Sequence, residues 1–213
     1  MTRALRIALL ALAGLLAQGH TQAATVLAQV QDASGAPLRD AAIYLVPTAS
    51  AKRAFAPARA IIEQRDREFM PFVTVVRTGT AVTFPNRDQT MHHVYSFSPA
   101  KSFQIKLYEG DPPNPIVFDK PGVVAVGCNI HDWMQAYVLV VDTPHFALTD
   151  ESGRARIDGL GNGSYEAHVW HPHAKAEWQA PLRIDGERTP VSATLSVRMQ
   201  ARKPKPPPDP TKY

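Results

Sequence analysis

Cysteine is nearly absent: Cys128 stands alone among 213 residues. A single thiol forms no internal disulfide, which excludes a small fold stapled by cross-links. Long apolar runs are as scarce. Outside Ile7 to Leu16 no stretch nears the roughly 20 apolar residues of a membrane-spanning helix, so stable membrane insertion is not expected. Charge of one sign is also missing, with 23 Lys and Arg against 19 Asp and Glu. Arg3 and Arg6 belong to the first segment, and Arg202, Lys203, Lys205 and Lys212 to a proline-rich end, so the body between is close to neutral. That balance argues against a nucleic-acid surface despite the basic isoelectric point. No Ser/His/Asp order, phosphate loop or zinc-hydrolase motif is present, and no enzymatic activity is expected of this chain alone.

What is present begins with the pattern of a secretory signal peptide over residues 1–24. It has a positive start, an apolar stretch and a small-residue cleavage region at Ala23 or Ala24. An exported protein is expected, with the bacterial periplasm as its compartment. Residues 201–213, rich in Pro and Lys, predict an extended, disordered tail. A lone thiol in an oxidising compartment is at risk of oxidation unless something buries or ligates it.

Between the ends, short β-branched and apolar runs alternate with Gly, Pro, Asn and Asp, and 19 prolines mark many boundaries. Strands are predicted at Phe72–Arg77, Ala81–Phe84, Val94–Phe97, Val123–Val126 and Ala136–Val141, with no long amphipathic helix. Such spacing predicts an all-β sandwich or barrel. Residues 49–60 form a linker, either a short helix or an irregular loop. Two flanking stretches share a turn-then-strand pattern: Ala28 to Val46 around Ser34-Gly35, and Thr149 to Trp170 around Ser152-Gly153. Together they resemble the first and last parts of carboxypeptidase-regulatory-like, or prealbumin-like, β-sandwich modules. The resemblance implies a small sandwich split into residues 25–48 and 143–200, with a central domain, residues 61–142, inserted between the halves.

The chemistry concentrates at Cys128-Asn-Ile-His131-Asp-Trp-Met134, where thiolate, imidazole and thioether fall within seven residues between two predicted strands. A short loop brings three such groups together at little closure cost. Soft sulfur suits Cu(I), imidazole nitrogen suits both copper states, and a His2Cys set with a weak axial Met is an electron-transfer arrangement. Zinc fits less well, because it is held by thiolate, imidazole and carboxylate rather than by thioether. The further histidine comes from Thr83 to Tyr95, which leaves a strand, loops, and re-enters one at His92-His93-Val94. This combination resembles the cupredoxin (plastocyanin/azurin) superfamily over about residues 61–142, and its Cys-x2-His-x2-Met loop is similar to that of amicyanins.

The resemblance implies a cupredoxin-like Greek-key β-sandwich or barrel binding one type 1 copper. His92, Cys128 and His131 are the implied equatorial ligands and Met134 the axial one. His93 stands where cupredoxins have Asn, which leaves it as the alternative to His92; the match favours His92, and alternation along a strand lets only one of the pair face inward. The resemblance also implies that His131 lies nearest the surface, with Trp133 as docking area and Asp132 tuning a partner's approach. Gly127, where many members carry an aromatic, predicts looser packing behind the thiolate. The implied function is single-electron transfer with redox proteins such as a c-type cytochrome or a dehydrogenase. Two other classes share these residues: a cell-envelope binding or scaffolding module with structural copper or none, and a copper storage or delivery protein. A histidine cluster at His168, His171 and His173 is expected to be ordinary polar surface, with a second metal site as its alternative.

Overall fold

The computed structural model describes residues 23–49 and 56–197. Of the signal-peptide expectation for residues 1–24, residues 1–22 lie outside them and Ala24 opens β1; the tail expectation for 201–213 also lies outside. Among the described residues no helix occurs, and none is therefore long and apolar enough to cross a membrane. The fold is all-β. Its strands, in chain order, are β1 (Ala24–Asp32), β2 (Ala42–Pro47), β3 (Arg59–Ile61), β4 (Glu63–Arg65), β5 (Glu68–Met70), β6 (Val73–Arg77), β7 (Thr80–Thr83), β8 (His92–Ser98) and β9 (Lys101–Tyr108). There follow β10 (Ile116–Phe118), β11 (Gly122–Cys128), β12 (Gln135–Val141), β13 (Phe146–Leu148), β14 (Arg154–Leu160), β15 (Gly163–Trp170), β16 (Trp178–Ile184) and β17 (Arg188–Leu195).

The two look-alike stretches fold alike. In each, an aspartate closes a turn on its own backbone. Asp32 Oδ1 accepts from the amides of Ser34 (2.8 Å) and Ala36 (3.0 Å), and Asp150 Oδ1 accepts from those of Ser152 (2.9 Å) and Arg154 (3.0 Å). Such side-chain turns are why Asp-x-Ser-Gly punctuates strands. Gly153 is required twice over: its φ is +72°, and a Cβ there would meet Val30 O at 2.3 Å.

The strands after these turns pair across the whole chain. β1 lies between β14, antiparallel, and β17, parallel; β2 lies between β13 and β15, and β16 completes that sheet. One core fills the space between the two sheets. Val26, Val30, Ile43 and Leu45 from the early strands pack in it with Ile157, Val169, Ile184 and Leu195 from the late ones.

Residues 59–141 build the other pair of sheets, β6-β12-β11-β8-β9 and β10-β7-β3, around Ile62, Val82, Phe84, Val94, Phe118, Val124, Val126 and Val138. β12 alternates between two cores. Ala136, Val138 and Val140 face inward, while Leu139 and Val141 turn outward against Ala42, with Tyr44, Phe146 and Trp170 alongside. The two bodies therefore share a packed seam.

Part of the predicted 49–60 linker is strand. Arg59–Ile61 is β3, parallel to β7, and Ala60 packs on the central core. Residues 50–55 lie outside the described set.

Candidate metal centre

Strand alternation sorts the two adjacent histidines. In β8, His92, Val94 and Ser96 are buried, and His93, Tyr95 and Phe97 face the other way. β11 aligns Cys128 with Val94 and ends there, so the thiol and the His92 imidazole emerge side by side at one end of the sandwich. The next residues form a closed loop: Cys128 N–H donates to Met134 O (3.3 Å) and Met134 N–H to His131 O (3.0 Å). That loop carries His131 back over Cys128, and the Met134 side chain is buried in the central core.

His92, Cys128 and His131 bring their ligand atoms within 4.8 Å of one another, and all three residues are buried. Among the described residues this is the one His, Cys, Asp or Glu group of three that does so. Cys128 Sγ lies 3.7 Å from His92 Nδ1 and 4.0 Å from His131 Nδ1. Those separations are long for hydrogen bonds. A metal–sulfur bond of about 2.3 Å and a metal–nitrogen bond of about 2.0 Å place ligands roughly 3.5–3.7 Å apart in tetrahedral or trigonal geometry; the His92 separation matches this, and the His131 separation is a few tenths of an ångström longer. The donor set thus fits a single soft-to-borderline ion, and its thiolate and two imidazoles suit copper.

The electrostatics favour an ionised thiol. Burial pushes the Cys128 thiol up, but the His92 ring and the amides of His93, Ile130 and His131 outweigh it, and the net shift is down. For His92, burial disfavours the charged form, yet contacts with Cys128 and Asp88 prevail and raise it. His131 is lowered by burial and by the charges of His92 and Arg67.

Residues beyond the ligand motif hold this end together. Asp88 accepts from His92 Nε2 at 2.8 Å, which directs Nδ1 toward Cys128. Burial raises the Asp88 carboxyl, but hydrogen bonds from Arg67, His92 and Asp66 bring it below its ordinary value. Asn86, three residues past β7, is buried and spans the loop. Its Nδ2 donates to Thr90 O (2.8 Å) and Tyr108 O (2.9 Å), and its Oδ1 accepts from Asp88 N–H (2.9 Å). Sequence reasoning missed Asp88, whose signal is a carboxylate four residues before a candidate ligand histidine.

Two expectations are revised. Trp133 is not simply an exposed docking side chain: its ring lies 4.9 Å from that of His131, and Nε1–H donates to Arg67 O at 3.1 Å. Packing behind the thiolate is not loose, because Tyr95 of the neighbouring strand covers Gly127; a Cβ there would meet Tyr95 Cζ at 3.2 Å. The exposed apolar side chains flanking the ligands are Met91 and Ile130.

His168, His171 and His173 do not converge. His168 stacks on Tyr44 (4.6 Å) between Glu166 and Glu177, whereas His171 and His173 meet edge to face and His173 stacks on Phe72 at the seam.

No protein-family model and no curated protein matches the chain. Solved structures similar to part of it include a cupredoxin and other proteins whose names carry copper. A purple cupredoxin from Nitrosopumilus maritimus shares 23% identity over 38% of this chain and 99% of its own, with a TM-score of 0.35. A methionine-to-alanine mutant of amicyanin in its Cu(I) state shares 18% over 46% of this chain and 98% of its own, TM-score 0.35. A Cu-containing nitrite reductase from Thermus scotoductus shares 23% over 46% of this chain but only 25% of its own length, TM-score 0.38.

Proposed function

We propose that the protein is an exported type 1 copper protein that carries single electrons between redox partners. The observation that supports this reading is the buried convergence of His92 Nδ1, Cys128 Sγ and His131 Nδ1, with the sulfur 3.7 Å from one nitrogen and 4.0 Å from the other. His92, Cys128 and His131 would hold the copper, with Met134 as axial ligand and His93 facing away. Bound there, copper supplies a one-electron couple: a reduced partner gives an electron that an oxidised partner later removes.

The chain's own part is to keep the donors still. Strand ends fix His92 and Cys128, and the 128–134 hydrogen bonds fix His131, so the same geometry serves both oxidation states. The partner is a redox protein, such as a c-type cytochrome or a dehydrogenase, docking over the exposed Met91 and Ile130. The central residues 61–142 act as the copper domain, inserted into the split sandwich of residues 25–48 and 143–200. In the exported form, cleavage after Ala23 preserves β1, whose first residue, Ala24, is fully buried.

The test is the visible absorption and EPR spectrum after adding Cu(II), beside Cys128→Ala. An intense thiolate-to-copper band with narrow hyperfine splitting, absent in the variant and bleached reversibly by reductant, is expected. A pale spectrum indifferent to Cys128 would overturn the reading.

A further inference from the structure

The β4–β5 hairpin belongs to neither large sheet; its strands form a two-stranded sheet of their own. Its turn residues, Asp66 and Arg67, have φ of +54° and +58°. A two-residue hairpin of this hand favours Asn-Gly, and a non-glycine residue in the left-handed region is disfavoured. Two in succession persist only where surrounding contacts dictate them.

Those contacts lead to the metal centre from both sides. The amides of Asp66 and Arg67 both donate to the Asp88 carboxylate, at 2.6 and 2.9 Å. Successive amides in such a turn form a concavity for an anion. The oxygen that takes the Arg67 amide, Oδ2, also takes His92 Nε2. The carbonyl of Arg67 accepts Trp133 Nε1–H, and the Trp133 ring packs on His131. One residue, Arg67, is thus gripped through its N–H by the group that holds His92 and through its C=O by the group that packs on His131.

We propose that Asp88 is a positioning residue which, with Trp133, braces both imidazoles against the tip of the β4–β5 hairpin. Resting on the assignment of His92 and His131 as ligands, it makes the hairpin an external support that sets the tautomer of His92 and the orientation of both rings. Asp88, as acceptor, requires the proton on Nε2 and leaves Nδ1 open. An amide in its place can present an N–H₂ donor there and favour the opposite tautomer, with Nδ1 protonated and unable to ligate.

The experiment compares the wild type with the isosteric Asp88→Asn and with Trp133→Phe, which keeps an aromatic ring but loses the N–H. Metal-free protein is read by nitrogen-15 NMR of the His92 ring and by amide exchange at Asp66 and Arg67. Copper-loaded protein is read by Cu(II) affinity and reduction potential. In Asp88→Asn the His92 tautomer changes, the two amides exchange faster, and Cu(II) affinity falls by about 10–100-fold. Loss of the carboxylate weakens Cu(II) more than Cu(I), and each tenfold difference raises the potential by about 59 mV. Trp133→Phe leaves the His92 tautomer in place and speeds copper release. A variant that melts earlier yet keeps the tautomer, the exchange rates and the potential overturns the proposal and leaves Asp88 a purely structural residue. Failure of the copper reading is seen separately, as a wild type without a thiolate–copper band whose metal-free measurements still follow Asp88.

Discussion

The ring of Tyr95 occupies the space that a side chain on Gly127 would take, one residue before Cys128, with Cζ and the hydroxyl oxygen each 3.2 Å from a Cβ built there. The two residues are direct cross-strand partners of β8 and β11. Gly127 carries no positive φ, so it is the neighbouring ring, not the backbone, that calls for glycine. Gly127→Ala should therefore cost about 1 kcal/mol through overpacking. Tyr95→Leu in the same chain should recover part of that loss. A double-mutant cycle by chemical denaturation checks the coupling, which is expected above about 0.5 kcal/mol.

Asn86 satisfies a buried loop with three side-chain hydrogen bonds. Asn86→Ala leaves the carbonyls of Thr90 and Tyr108 and the amide of Asp88 without those partners, at a cost of about 2–4 kcal/mol. Because Asp88 in turn holds His92, copper should leave this variant faster than the wild type. Stopped-flow transfer to a chelator measures it; an unchanged rate would separate the loop from the metal centre.

How far the sequence could be read ahead of the structure depended on the range of the signal. Alternating apolar residues marked β6, β7, β8, β11 and β12, and Cys128-x2-His131-x2-Met134 marked one end of the sandwich, because those patterns are local. Strand period said only that one of His92 and His93 faces inward, and the resemblance favoured His92; in β8 it is His92 that is buried. The hairpin β4–β5 and the edge strand β9 were missed: three-residue strands carry little pattern, and Lys101–Tyr108 presents no fully buried position. Asp88 was missed because its partners, Asp66 and Arg67, lie more than twenty residues away and contribute only backbone amides. The expected looseness at Gly127 failed because the filling ring comes from another strand.

Leu139 is one of two outward residues of β12 buried in the seam between the two bodies, with Ala42 and Val141. Leu139→Ala should destabilise the protein by about 2–5 kcal/mol, the range for truncating a buried leucine. Since the metal-site residues belong to the other core, the copper spectrum of the folded variant should be unchanged. Denaturation followed by tryptophan fluorescence, with the spectrum recorded in parallel, checks both halves.

His171 is pushed down from 6.5 to about 4, chiefly by burial and then by the charge of His173. Its folded value lies below its unfolded one, so the unfolded chain binds more protons between pH 6.5 and 4. Stability from this group is complete above about pH 6.5 and is lost as pH falls through that window. The loss from pH 7 to pH 5 should be about 2 kcal/mol. His171→Gln should flatten that segment of the stability-versus-pH curve; an unaltered slope would place the acid sensitivity elsewhere.

The strand β1 has one further consequence, for the order of events when the chain folds. Its neighbours are β14 and β17, and its parallel partner begins at Arg188, more than 150 residues along the chain. β1 leaves a ribosome or a translocation channel well before its parallel partner and so waits long to find its place. Residues 59–141 close on themselves with no such wait, through the adjacent pairs β8–β9 and β11–β12. Contacts of long sequence separation form slowly. The outer sandwich should therefore assemble late around a centre already in shape, and a chain interrupted before Arg188 would leave one edge of β1 open to pairing with other chains.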